Sequence, residues 1–118
     1  MNSEKHAFIL TTEDIDDIMV SALEGGITYW CREAYVPNRV ASWAHEQIAR
    51  GGTLVLKTYD GEEATLTLEN LLEGVSAWVK MHDPAAVDDY GHIDCCLVDA
   101  VAADAIVQYA VFGELVYS

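Results

Sequence analysis

The residues that decide the fold run from Thr53 to Leu68: Thr-Leu-Val-Leu-Lys-Thr-Tyr-Asp-Gly-Glu-Glu-Ala-Thr-Leu-Thr-Leu. Thr53–Tyr59 is rich in aliphatic, β-branched and aromatic residues and reads as a strand. Asp60-Gly61 follows as a hairpin turn, because glycine accepts the positive φ that tight turns need. Glu62–Leu66 returns as the partner strand. Thr67 then stands where an N-cap belongs, and Leu68, Leu71, Leu72, Val75 and Val79 recur at helical spacing, with Trp78 beside them. That stripe predicts a helix from Leu68 to about Met81, broken by Asp83-Pro84. A hairpin that leads into an amphipathic helix makes the chain α+β.

The flanks extend this frame. Upstream, Thr11 and Thr12 are N-cap candidates, and Glu13, Asp14, Asp16 and Asp17 place anions where the helix dipole favours them. Ile15, Ile18, Met19, Ala22 and Leu23 form one buried face, and Gly25-Gly26 stops the helix. Ile27–Val36 is aromatic and β-branched, compatible with a strand or with further helix. Ala41–Arg50 reads as a second helix with Trp43, Ala44, Gln47 and Ile48 inward, ended by Gly51-Gly52. Downstream, an acidic loop reaches Asp94, and a last helix begins at Asp99 or Ala100 and runs to Tyr109 or Ala110. Phe112-Gly113 then turns into a short segment, Leu115-Val116-Tyr117, able to join the hairpin. The expected fold is a single domain over residues 1–118, with a small antiparallel sheet of two or three strands against about four helices. Trp30, Trp43, Trp78, Tyr29, Tyr35 and Tyr109 are expected mostly in the core; one exposed beside acids would mark a binding hot spot.

Charge is the second strong signal. Twenty Asp and Glu oppose six Lys and Arg, a net −14 in 118 residues. Solubility needs a magnitude of only roughly 2–8 in a small domain, and self-repulsion opposes the compact state beyond that. The excess is local: residues 60–104 hold eleven acids and only Lys80 as a base, whereas residues 1–59 hold eight acids and five bases. Asp60, Glu62 and Glu63 surround the turn, Glu69 and Glu73 stand one helical turn apart, and Asp88-Asp89 form a doublet. Carboxylates about 6 Å apart approximate the spacing of phosphates along a nucleic-acid strand. These seven residues, with Asp16 and Asp17 as a second patch, are the candidate partner-binding residues, and the partner they predict is a basic nucleic-acid-binding protein. Direct nucleic-acid binding and an anionic membrane surface are disfavoured by the sign of the charge.

Other chemistry finds little support. Asp83, Asp88, Asp89 and Asp94 crowd one loop, but Ala85, Val87 and Asp88 fall where a twelve-residue calcium loop needs two ligands and a glycine. His92 and Cys95 have usable zinc spacing, yet adjacent Cys95 and Cys96 make poor joint ligands and no CxxC accompanies them. No nucleophile-elbow, HExxH, phosphate-loop or dinucleotide motif occurs. No catalytic residue, metal or cofactor is therefore expected. Three cysteines make a poor disulfide framework, which points to a reducing cytoplasm, and no apolar run reaches the ~18 residues of a membrane span.

Three stretches carry a family resemblance: Ser21–Cys31 (SALEGGITYWC), Arg50–Leu54 (RGGTL) and Ala103–Glu114 (ADAIVQYAVFGE). In order and spacing they resemble small acidic proteins encoded by phages and prophages. The resemblance implies a non-enzymatic anti-CRISPR protein that mimics nucleic acid and blocks a basic groove of a CRISPR effector subunit, foremost a type I surveillance complex, in the cytoplasm of the bacterial host. The alternatives are a phage accessory or structural protein whose acidity serves solubility or assembly, and a divalent-cation-binding module at Asp83–Asp94.

Overall fold

The hairpin forms where its residues place it. The computed structural model describes residues 8–82, 91–93 and 98–118. Strand β2 (Leu54–Thr58) pairs antiparallel with β3 (Glu63–Leu66), Leu54 opposite Leu66 and Lys57 opposite Glu63. The Thr58 N–H donates to the Glu62 carbonyl at 2.9 Å, so Tyr59, Asp60 and Gly61 form the loop, with Gly61 at φ 91°. A three-residue hairpin loop places a left-handed residue at that position, which favours glycine.

The third strand is β1 (Cys31–Tyr35), which pairs antiparallel with β2 and gives the order β1-β2-β3. The ambiguous segment 27–36 thus supplies the strand. Leu115–Tyr117 does not: it has no regular secondary structure, and the Val116 and Tyr117 N–H groups donate to the Gln108 side chain instead of a strand. Along β2, Leu54, Leu56 and Thr58 are buried while Val55 and Lys57 are half-buried, as period two requires. The outer face carries Lys57 between two acids, Glu33 on β1 and Glu63 on β3, with its ammonium 3.9 Å from Glu63. A register shift between Cys31 and Glu33 marks a bulge, which leaves both Arg32 and Glu33 exposed.

Helix α1 (Thr12–Ser21) is capped by Thr11, whose hydroxyl accepts the Asp14 N–H at 3.0 Å while Asp14 accepts the Thr11 N–H at 2.9 Å. It ends in a π-turn, Ala22–Gly26. A Cβ on Gly26 would lie 2.6 Å from the Ala100 carbonyl, so glycine lets this turn touch the start of α3 (Ala100–Phe112). Helix α2 (Leu68–Met81) has its Thr67 cap, completed by Asn70. Asp99 caps α3. Helices α2 and α3 pack closely at Gly74, where a Cβ would overlap the Ile106 carbonyl and press on Ala110.

The expected helix over Ala41–Arg50 is instead two 3₁₀ turns, Ala44–Glu46 and Ile48–Arg50. Gln47 explains the difference. It is fully buried; its Nε2 donates to the Ala41 and Trp43 carbonyls at 2.9 and 2.8 Å, and its Oε1 accepts the Val40 N–H at 2.9 Å. Those carbonyls are the ones a regular helix starting at Ala41 would offer to its own N–H groups. Trp43, expected inward, has extended backbone before the first turn and is 65% exposed. Tyr29 and Tyr35 are also about half exposed, whereas Trp30 and Trp78 are core. One cluster of buried residues, including Ile18, Met19, Ile48, Leu56, Leu71 and Ile106, joins the inner face of the sheet to all three helices. The result is an α+β fold with a three-stranded antiparallel sheet.

Candidate partner-binding surface

Asp60, Glu62 and Glu63 are exposed on the hairpin loop and the start of β3. Glu69 and Glu73 are exposed on α2, on the side opposite buried Leu71, Val75 and Trp78. Asp17 is exposed on α1, but Asp16 is engaged: Arg50 donates to its two oxygens at 3.0 and 3.1 Å and ties α1 to the second 3₁₀ turn. Asp88 and Asp89 lie outside the described residues, as do Asp83, Asp94, Cys95 and Cys96. Five candidate acids therefore stand on two consecutive elements. Between described residues there are two ion pairs, Arg50–Asp16 and Lys57–Glu63.

A second constellation joins residues far apart in the chain. Tyr29 and Trp30 leave the π-turn toward β1, while Asp104 and Gln108 stand at i, i+4 on one face of α3. The Asp104 carboxylate accepts the Tyr29 hydroxyl at 2.6 Å, the Trp30 indole N–H at 2.7 Å and the Gln108 amide at 2.9 Å. Gln108 is fully buried, and its oxygen accepts the Val116 and Tyr117 N–H groups at 2.7 and 2.8 Å. This fastens the C-terminal tail, so that Tyr117 stacks on Trp30 with ring centroids 5.2 Å apart. Burial, and then the hydrogen bond and charge of Asp104, push the Tyr29 phenol up to about 12.

Beside this network lies a groove of about 660 Å³, walled by Tyr29, Trp78, His82, Val101 and Tyr117, with Asp104 among its lining residues. The His82 ring bonds the Tyr109 hydroxyl at 2.7 Å. Asp104 meets three neutral donors and, among the described residues, no cation. An anion set in aromatic and aliphatic walls suits a cationic ligand. The sequence held one sign of it: Asp104 and Gln108 are a polar pair at i, i+4 inside the otherwise apolar run Ala100–Val107 and its continuation.

Among the described residues, no group of three or more His, Cys, Asp or Glu is placed to hold a metal ion. None of their helices is long and apolar enough to cross a membrane. No protein-family model, curated protein or solved structure matches the chain.

Proposed function

We propose that this protein is a non-enzymatic inhibitor that presents an acidic surface to a basic nucleic-acid-binding groove and blocks it. The resemblance to phage-encoded acidic proteins makes a CRISPR effector, foremost a type I surveillance complex, the proposed target. The supporting observation is the outward placement of Asp60, Glu62, Glu63, Glu69 and Glu73 on the hairpin and α2, with Lys57 paired to Glu63. Opposed charge at this density accelerates encounter and selects basic partners, and the binding weakens with salt.

The test reverses Glu69 and Glu73 to lysine and measures phage plaque formation on CRISPR-active bacteria that express the protein. Both residues are exposed, and reversal keeps a like-charged pair whose helical cost is only about 0.2–0.5 kcal/mol. The fold therefore persists and inhibition is lost. Undiminished inhibition by the double variant would remove α2 from the binding surface.

A further inference from the structure

We infer that the groove at Asp104 is the receptor for an arginine side chain carried by the basic partner. This rests on the proposed function and deepens it, because it assigns one contact of the partner a specific seat. The first ground is unfilled acceptor capacity. A carboxylate offers about four lone-pair sites; Oδ1 of Asp104 takes the Trp30 and Gln108 donors and Oδ2 takes only the Tyr29 hydroxyl. One site remains on Oδ2, and the charge has no cation among the described residues. The groove is where a donor reaches it.

The walls select the donor. Tyr29, Trp78 and Tyr117 supply aromatic surface, and Val101 and Leu115 supply aliphatic surface. A guanidinium is less strongly hydrated than an ammonium, stacks on aromatic faces and offers its donors in a planar fork, so these walls favour arginine over lysine. The volume of about 660 Å³ holds the side chain together with neighbouring partner backbone. The site is also built before binding. Tyr29, Trp30 and Gln108 hold the carboxylate, and Gln108 holds the tail that forms one wall. Little ordering remains to oppose association. An arginine in such an aromatic-lined, pre-formed seat is the usual composition of an interface hot spot.

The Trp30 indole N–H, bonded to Asp104, reports on the site. The experiment titrates isotope-labelled protein with N-acetyl-arginine-N-methylamide, which is neutral at both ends, and follows the indole N–H resonances. The neutral isostere, the citrulline analogue, is titrated in parallel. The expected result is a saturable shift of the Trp30 indole with the arginine probe and none with citrulline. Asp104→Asn keeps an oxygen for Trp30 and Gln108 but removes the charge, and it weakens the probe about tenfold or more. Val101→Arg, at a position 77% exposed and three residues before Asp104, seats the protein's own guanidinium and blocks the probe. No saturable shift, an equal shift with citrulline, or unchanged affinity in Asp104→Asn overturns the inference. Failure here with inhibition abolished by the Glu69 and Glu73 reversal leaves the acidic-surface reading standing without the groove. A successful titration with inhibition untouched by that reversal upholds the groove and removes the α2 surface.

Discussion

Replacing Asp104 by alanine strands the buried Trp30 donor and takes a charged acceptor from Gln108. Trp30 is 2% exposed and donates to this carboxylate, whereas Gln108 Nε2, fully buried and bonded to the same oxygen, keeps the Tyr117 carbonyl at 3.1 Å and the Tyr29 hydroxyl oxygen at 3.3 Å. An unsatisfied buried donor costs about 1–3 kcal/mol. Trp30 bears that cost, and exchanging the charged acceptor of Gln108 for neutral ones adds about 1 kcal/mol. The half-exposed Tyr29 hydroxyl turns to solvent at little cost. Asp104→Ala therefore destabilises by about 2–4 kcal/mol. Asparagine behaves differently. Its oxygen still accepts from Trp30 and Gln108, and its amide donates to the Tyr29 oxygen in place of the accepted bond. Only the charge assistance is lost, about 1 kcal/mol. Urea unfolding followed by tryptophan fluorescence separates the two, with the slope expected to stay constant. An alanine variant within about 1 kcal/mol of wild type, or an asparagine variant as damaged as alanine, refutes the view that acceptor geometry at Asp104 fastens the π-turn exit to α3.

Two further outcomes follow from the packing and the electrostatics. Gly74→Ala inserts a Cβ into the Ile106 carbonyl and Ala110, and overpacking of this kind costs about 1–3 kcal/mol. Gly25→Ala meets nothing within 4 Å and is the near-neutral control, the pair being compared by thermal unfolding. Tyr29 binds its proton more tightly in the folded state, since its value rises from the ordinary 10.0 to about 12. Its contribution to stability is therefore complete below pH 10 and is lost as pH rises through the folded value of about 12. The tyrosinate absorbance difference between wild type and Tyr29→Phe is centred near that value, and Asp104→Asn moves it down. An ordinary tyrosine titration at position 29 contradicts the Asp104 contact.

Sequence and structure agree where the decisive forces are local. The Thr67 cap, the Leu68–Met81 stripe, the Gly61 turn and the Asp99 start of α3 were all legible, because N-caps, helical periodicity and positive φ act within a few residues. The sequence also located the acidic excess, since net charge is a property of composition. Local signals misread Ala41–Arg50, where one buried glutamine takes the carbonyls a helix would use and turns Trp43 outward. They misread the tail as well, because Leu115–Tyr117 has the residue types of a strand but finds its acceptor in Gln108. The groove was beyond local reading altogether. Asp104 meets Tyr29 and Trp30 across 75 and 74 residues of chain, and no periodicity or propensity carries information over that distance. By itself, then, the sequence determined helices α1, α2 and α3, the hairpin and the exposed acids on it and on α2. Tertiary packing alone decided which strand completes the sheet, which aromatics face solvent, and that a single carboxylate of α3 sits at a hydrogen-bonded aromatic groove, since these depend on which distant donors and acceptors meet once the core has closed.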